Sequence, residues 1–388
     1  MSVRAHYLKT VESFEPFTKA LKGGVAPAEL KEAVVAVLDP YVQDKELLWE
    51  HAVSRLANEA LCIANLNLRP EWKNLLVKAF EIRNAAISTA PAQAYQVICD
   101  FEICIREAQR KYSMQILFEQ PKDGLKTDEY AFEMFRLIGG LIEFTIQPFI
   151  KEIYCLAEIN AGQTKNTQDV IDADFGQIVE QFNRLNCFPA LLMPGSWGVR
   201  INQWRNIAQH HSFSVTGERI EATYGKATPK KSISITRDDL FSLSKELVRR
   251  LGALKSSREL TILNNIEQLR GTLPHIEIDI YSIATELAAA FATQGFTLTG
   301  LEDANGVISA KILDANPTQG DIRKIHCSQF VLPIGARFPQ RGIEVIYESD
   351  ASAEKFKISI TAESNRILGE LQSPFEKLAD LLKWEKLQ

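Results

Sequence analysis

The chain has 388 residues, of which 46% are hydrophobic and 24% are charged, and its formal net charge is −5. This length predicts two or three domains, and this composition is typical of a soluble globular protein that buries a core. The net charge disfavours a protein that coats DNA nonspecifically. We predict no membrane segment, because the apolar run at 137–146 contains Glu143 and is shorter than the ~18 residues needed to cross a bilayer.

The six cysteines include no Cys-x-x-Cys pair, and none has a histidine at metal-ligand spacing. Together with an N-terminus that leads into no apolar signal region, this pattern predicts a reduced, cytoplasmic protein. Asp169, Asp172 and Asp174 lack the glycine and glutamate of a calcium loop, which favours a solvated helix start over a cation site. No phosphate-binding glycine loop, dinucleotide fingerprint or nucleophile elbow occurs. We therefore predict neither a metal nor a cofactor.

Residues 1–118 are predicted to form a helical N-terminal domain. Apolar residues at helical spacing indicate helices at 46–64, 70–88 and 91–112, with Pro70 and Pro91 at first-turn positions. Residues 119–126 combine proline, Asp-Gly and charge without periodicity, which is typical of a linker.

Residues 126–271 are predicted to form a second domain. A long amphipathic helix is expected at 129–156, kinked or broken at Pro148, and another at 174–186. Ser196 is a candidate N-cap for the next helix. Alternating apolar residues then predict a hairpin within 213–224 and a short strand at 233–235. Thr236 and Asp239 resemble a capping box for a helix through residue 251, and a further helical stretch is predicted at 259–270.

Residues 274–388 are predicted to form an α+β domain. A helix is expected at 281–294, followed by hairpin strands at 296–301 and 307–313 around Asp303-Ala304-Asn305-Gly306, a strong turn signal. Further strands are predicted near 325–332, 343–347 and 356–361, and a closing helix at 363–386. The pattern predicts an antiparallel sheet with helices on one face, an architecture common in sensor and binding domains.

The stretch Trp204-Arg205-Asn206-Ile207-Ala208-Gln209-His210-His211 concentrates polar chemistry. On a helix, Arg205 and His210 would lie at the two edges of an arc of roughly 140°, with Asn206 between them. The opposite side carries an apolar stripe suited to a core. Because the two edges diverge, either the helix ends near His210 or a second copy of the helix completes the site.

The segment from Arg205 to His210 resembles the HEPN family (higher eukaryotes and prokaryotes nucleotide-binding domain). Its ribonucleases carry arginine, commonly followed by asparagine, then histidine after four to six residues, a spacing that His211 also satisfies. The resemblance covers the middle third of the chain. It implies a mainly α-helical HEPN-type bundle, followed by a small β-hairpin, that dimerises to form a metal-independent endoribonuclease site. With the predicted N- and C-terminal domains, the whole chain is predicted to be α+β.

The residue types suit this chemistry. Histidine can act as acid or base near neutral pH, and arginine can hold two phosphate oxygens in parallel hydrogen bonds. We therefore predict Arg205, Asn206 and His210 as catalytic residues, with His211 as an alternative or additional one. The competing structural interpretation is a histidine that caps a helix end beside a surface salt bridge.

Basic charge is concentrated around this motif. From Arg200 to Arg258 twelve Lys and Arg stand against five Asp and Glu, a balance of +7, whereas residues 274–388 carry eleven against sixteen, a balance of −5. The predicted RNA-binding residues follow the motif: Arg219, Lys226, Lys230 and Lys231. The alternative interpretation is that these side chains serve solubility.

The family likeness implies a regulated toxin or anti-phage effector that binds RNA, forms a homodimer and is restrained by an antitoxin or regulatory partner. Candidate apolar support for the dimer comes from Trp197, Val199 and the exposed side of helix 129–156. The alternative function is a non-catalytic HEPN scaffold that binds RNA, nucleotide or a partner protein. Arg83-Asn84 echoes the motif with Ser88 in place of the histidine, either by coincidence or as a decayed duplicate with an RNA- or partner-facing surface.

Overall fold

The computed structural model describes residues 20, 23–53, 56–116, 124–225, 229–274, 280–314, 321–349, 352–371 and 374–387. These residues form an α+β structure with two separate β-sheets. The chain divides into two compact units: unit 1 comprises Met1–Pro40, Asp44–Ala60 and Ile278–Gln388, and unit 2 comprises Tyr41–Gln43 and Leu61–Glu277. This division differs from the predicted domains 1–118, 126–271 and 274–388, because the helices within 61–116 belong to the same unit as the motif.

Unit 2 contains most of the helices and the smaller sheet. The helices of its first part are α4 (Pro70–Thr89), α5 (Pro91–Asp100), α6 (Glu102–Ile116), α7 (Thr127–Gly140), α8 (Gln147–Asn160), α9 (Thr167–Asp172), α10 (Phe175–Leu185) and α11 (Pro189–Leu192). The motif helix α12 (Ile201–Gln209) follows, then β1 (Phe213–Thr216), β2 (Arg219–Tyr224), β3 (Lys231–Ile235), α13 (Arg237–Asn264) and α14 (Ile266–Leu269). The three strands form an antiparallel sheet in sequence order, as predicted from the alternating pattern.

The predicted helix starts at Pro70 and Pro91 are confirmed, since both prolines occupy the first turn of their helices. The stretch predicted at 91–112 is divided at Phe101, and the two stretches predicted between 236 and 270 are instead one helix of 28 residues, α13, and the short α14. The capping box of Thr236 and Asp239 starts α13 as predicted, with Thr236 Oγ accepting from the Asp239 amide at 3.2 Å.

Of the predicted kink or break at Pro148, the break is wrong. The chain stays helical through a π-helical segment (Leu141–Ile146) between α7 and α8, and the Gln147 amide donates to the Ile142 carbonyl five residues earlier. Proline cannot donate to the carbonyl four residues before it, and the wider turn ahead of Pro148 absorbs that loss.

A buried ion network joins four helices of unit 2. Glu152 on α8 is fully buried and accepts hydrogen bonds from Arg83 on α4 and from Arg258 on α13. Arg258 also donates to Glu102 on α6 at 2.6 Å. The echo of the motif at Arg83 therefore serves the core. Its interpretation as an RNA-facing or partner-facing surface is wrong, since Arg83 is 0% exposed.

Unit 1 contains the larger sheet. Its described helices are α1 (Pro27–Leu38), α2 (Lys45–His51), the start of α3 (Ala57–Leu66), α15 (Ile280–Ala292), α16 (Asp321–Ser328), α17 (Val331–Arg337), α18 (Ala362–Glu370) and α19 (Pro374–Leu381). Its strands are β4 (Phe296–Ala304), β5 (Val307–Asp314), β6 (Gly342–Ser349), β7 (Ser352–Ile360) and β8 (Lys383–Leu387), which pair in sequence order.

The prediction of an antiparallel sheet is wrong at one pairing, because β5 and β6 are parallel. Residues 325–332, predicted as a strand, lie mainly in α16 and α17, with Cys327, Val331 and Ile334 buried. This helical connection crosses from the end of β5 back to the other end of the sheet, so β6 runs in the same direction as β5. The closing helix predicted at 363–386 is instead α18, α19 and the edge strand β8.

Candidate functional site

The motif lies on α12, whose apolar face is anchored as the pattern predicts. Ile201, Trp204, Ile207 and Ala208 are buried, and Trp204 is 0% exposed. Helix α12 packs closely on α7, because a Cβ added at Gly139 would lie 3.0 Å from the Ala208 Cβ. The predicted cap at Ser196 is wrong: Arg200 occupies the N-cap position.

The segment that precedes the loop before α12 is held by Arg250, which lies on α13. Its guanidinium donates to the carbonyls of Ala190 and Met193, each at 3.2 Å, and to Glu246 at 2.7 Å. These contacts hold the chain at the end of α11, ahead of the loop that leads into α12.

The motif helix ends at Gln209, and the two histidines follow it. The His210 amide donates to the Asn206 carbonyl at 3.0 Å, so His210 is the C-cap. His211 has φ 48, and the Ser212 amide donates to the Ile207 carbonyl at 3.0 Å, the bond of a Schellman-type helix end. Of the two alternatives from the sequence, the first holds within this chain: the helix ends at His210.

The two imidazoles have different surroundings. The His211 ring stacks on Phe132 of α7 with centroids 5.2 Å apart and contacts Phe213 edge-on at 6.3 Å. His211 adopts the left-handed conformation that glycine usually occupies at this position, a strain of about 1–2 kcal/mol for other residues. His210 is exposed at the end of the helix. Both histidines are therefore exposed, but the His211 ring also contacts Phe132 and Phe213.

Arg205 is held by a carboxylate from the π-helical segment. Its Nε donates to Glu143 Oε2, its Nη2 donates to Glu143 Oε1 at 3.0 Å, and its Nη1 lies 3.5 Å from Asn206 Oδ1. The sequence analysis did not identify Glu143 as a site residue. Its signal was present, since Glu143 interrupts the apolar run at 137–146.

The predicted RNA-binding residues do not form one cluster. Lys230 and Lys231 are exposed at the end of the hairpin sheet where Tyr224 pairs with Lys231. Arg219 is exposed at the opposite end of β2, about 17 Å away along the strand. Lys226 lies outside the described residues.

Lys230 and Lys231 lie at the end of the three-stranded sheet, here called the lysine end, that is hydrogen-bonded to the motif helix. The Gly225 amide donates to Gln203 Oε1 on α12 at 3.2 Å, and the Thr223 amide donates to the Ser212 carbonyl at 2.8 Å. The local excess of basic residues is also partly neutralised from outside this segment, because Arg200, Arg205 and Arg258 pair with Glu180, Glu143 and Glu102.

Two of the residues suggested as dimer support have other roles. Val199 is 0% exposed, so its assignment to an interface is wrong. Trp197 packs edge-on against Trp204 with centroids 5.7 Å apart and is half-buried. The exposed side of α7 and the π-helical segment does carry large apolar side chains, Phe132 at 46% and Phe144 at 49% exposure.

Within the part of the chain that the structure describes, no group of three or more His, Cys, Asp or Glu side chains could hold a metal ion. No helix among the described residues is long and apolar enough to cross a membrane. No protein-family model, curated protein or solved structure matches this chain.

Proposed function

We propose that this protein is a metal-independent endoribonuclease of HEPN type, with Arg205, Asn206 and His210 as its catalytic residues. The proposal rests on the arrangement of side chains around α12. One side is buried in the core, whereas the other presents a guanidinium, an amide and, at the helix end, an exposed imidazole. Such a helix holds its polar groups in a preorganised geometry, which is what electrostatic catalysis requires.

The reaction is cleavage of the RNA backbone by its own 2′-hydroxyl. A base takes the proton of the 2′-hydroxyl, whose oxygen forms a bond to phosphorus while the bond from phosphorus to the 5′-oxygen breaks. An acid protonates the leaving 5′-oxygen, and the products are a 2′,3′-cyclic phosphate and a 5′-hydroxyl. Arg205 stabilises the charge on the phosphoryl oxygens, Asn206 orients Arg205 or the phosphate, and His210 transfers a proton.

His210 is preferred over His211 because of their surroundings. Both histidines are exposed, but the His211 ring is engaged in the stack with Phe132 and its backbone is left-handed, whereas His210 is the C-cap of the helix that carries Arg205. His211 then holds the end of the helix in place, and the substitution that stops proton transfer is His210→Ala.

One imidazole cannot readily be base and acid in one step, so we propose that two copies of α12 face one another across a two-fold axis. Arg205 and His210 are about 7.5 Å apart along the helix axis, at 1.5 Å per residue, which leaves room for a phosphate shared by two helices. Phe132 and Phe144 on the adjacent exposed surface would supply apolar support for this contact. Lys230 and Lys231 would contact phosphates away from the cut.

The test is cleavage of a single-stranded RNA in excess EDTA, with analysis of the product ends. Wild type should leave cyclic or 3′-phosphates, and Arg205→Ala and His210→Ala should each lower kcat/KM by about 10²-fold or more. The matched control is His211→Asn, which should retain most activity because it leaves His210 in place. Sedimentation should show a dimer at assay concentration. Cleavage that requires Mg²⁺, or full activity of a monomer, would contradict this mechanism.

The setting that we propose is cytoplasmic, as a toxin or anti-phage effector with an antitoxin or regulatory partner. Expression of the wild-type chain should then arrest growth, with relief in His210→Ala. The second candidate is a non-catalytic scaffold that binds RNA, nucleotide or a protein. The ion pair of Glu143 with Arg205 favours it, because part of the guanidinium is already bound within the chain. A chain that is innocuous on expression and cuts no RNA would support the scaffold.

A further inference from the structure

The contact of Arg205 with Glu143 defines which part of the guanidinium is available. Both side chains are mostly buried, with 20% and 21% exposure, so solvent competes weakly with this pair. Glu143 binds the side edge of the guanidinium, formed by Nε and one hydrogen of Nη2. Of the five N–H groups of arginine, three therefore remain: two on Nη1 and one on Nη2.

The remaining donors form the end of the guanidinium, which can give two parallel hydrogen bonds to a phosphate. Their contact within the chain is weak, since Nη1 is 3.5 Å from Asn206 Oδ1 and an anion can replace it. The geometry is thus compatible with Glu143 and a phosphate binding the same arginine on different edges.

The carboxylate itself is rigidly placed. Glu143 lies within the π-helical segment, where its neighbours Leu141, Ile142, Thr145 and Ile146 are buried. The Thr145 hydroxyl donates to the Leu141 carbonyl inside the same turn. Single π-helical turns are frequent at functional sites because they re-aim one side chain without ending the helix. Here the turn presents Glu143 to the motif helix.

We infer that Glu143 is a positioning residue, which holds the side edge of Arg205 and directs its end toward the scissile phosphate. This inference rests on the proposed function. It also predicts an electrostatic consequence, because Glu143 cancels the charge of Arg205 in the absence of substrate. Ground-state attraction for RNA is therefore weakened, whereas the directed hydrogen bonds act in the transition state.

This arrangement gives a kinetic signature that a merely structural carboxylate would not produce. Glu143→Gln removes the negative charge and leaves Arg205 able to turn. We expect kcat to fall about 10- to 100-fold, as expected for a misdirected catalytic group. We also expect KM to fall, and the affinity for a 2′-deoxy oligonucleotide of the same sequence to rise by a few-fold, because one more positive charge faces the phosphates.

The matched control is Glu133→Gln on α7. Glu133 pairs with Arg136 on the same helix at 2.7 Å. This variant should change neither kcat nor affinity for the deoxy oligonucleotide. The NMR resonance of the Arg205 Nε–H, assigned by its loss in Arg205→Lys, should shift toward that of a solvated arginine in Glu143→Gln and stay in place in Glu133→Gln.

The outcomes separate this inference from the proposed function. A higher kcat in Glu143→Gln would overturn it and make the pair an inhibitory contact. Unchanged kcat with a lower melting temperature would also overturn it, leaving only a structural role. If wild type cuts no RNA, the proposed function fails. The binding and NMR measurements then decide the inference: unchanged oligonucleotide affinity and an unmoved Nε–H resonance in Glu143→Gln contradict it.

Discussion

Replacing Glu152 by glutamine should strongly destabilise unit 2, because it breaks a buried ion pair. Glu152 is 0% exposed and accepts from Arg83 and, at 2.7 Å, from Arg258. After the change, Arg258 keeps Glu102 at 2.6 Å and the Ile98 carbonyl at 3.0 Å. The variant therefore leaves one buried cation, Arg83, without a carboxylate.

The two arginines respond differently because of the number of carboxylates beside each. Burial lowers the pKa of Arg83, and Glu152 only partly offsets this effect. Burial also opposes the charge of Arg258, but Glu152 and Glu102 together raise the pKa of Arg258 above the ordinary arginine value. Loss of Glu152 thus affects mainly Arg83. Breaking a buried pair in this way costs about 3–5 kcal/mol of unfolding free energy.

The assay is urea unfolding followed by tryptophan fluorescence in a Trp49→Phe, Trp384→Phe background, where the remaining tryptophans belong to unit 2. With a slope of about 2–3 kcal/mol per molar urea, Glu152→Gln should lower the midpoint by about 1–2.5 M. Adding Arg83→Met should recover most of that loss, because the unpaired cation is removed. A shift in Glu152→Gln equivalent to under 1 kcal/mol would refute the reasoning.

Three further predictions rest on other contacts in the structure. Gly139→Leu should cost about 1–3 kcal/mol and lower the melting temperature, because its side chain meets Ala208 where α7 and α12 touch. Charge reversal at Lys230 and Lys231 should raise KM for RNA and reduce the slope of log affinity against log salt by about 2, with little change in kcat. Burial and the charge of Arg323 lower the pKa of His326. His326 therefore takes up a proton more readily in the unfolded chain than in the folded one, so the stability of unit 1 should fall as pH drops below about 6.5. In hydrogen-exchange measurements on α16, His326→Gln should make this dependence on pH weaker.

Each of these has a matched control. Gly369→Leu, at a helix position with no atom within 4 Å of an added Cβ, should leave the melting temperature nearly unchanged. Arg219→Glu should weaken RNA binding less than the lysine reversal, because Arg219 lies at the far end of β2; an equal effect would contradict the placement of the site at the lysine end. His210→Gln should leave the pH dependence of unit 1 unaltered. Stability that rises below pH 6.5 would contradict the sign given for His326.

Local sequence signals predicted local structure well. Proline in the first turn predicted the starts of α4 and α5, and the Thr236 and Asp239 spacing predicted the start of α13. Alternation predicted the hairpin sheet. The wrong predictions concern segments whose structure depends on contacts with residues distant in the sequence. Residues 325–332 mix buried apolar side chains, such as Cys327 and Val331, with the exposed Ile325, and such a short run suits a helix or a strand equally.

Only the part of the site that lies on one helix could be predicted from the sequence. The apolar stripe of α12 followed from periodicity, whereas a helix end near His210 was only one of two alternatives. The partner of Arg205 did not, because Glu143 is 62 residues earlier and no local pattern links the two. The same holds for Arg83, whose Arg-Asn dipeptide resembles the motif although its side chain is fixed in the core by Glu152. Charge counts misled for this reason, since they treat buried and exposed arginines alike.

The parallel pairing of β5 with β6 sets an order of events during synthesis. Val307 on β5 pairs with Gly342 on β6, and the helices α16 and α17 are made between them. At about 5–20 residues per second, the ribosome delivers the partner strand roughly 2–7 s after β5. During that interval β5 is an open sheet edge, the kind of surface on which nascent chains associate. Lys311, exposed near the middle of β5, places a charge on that edge until β6 arrives.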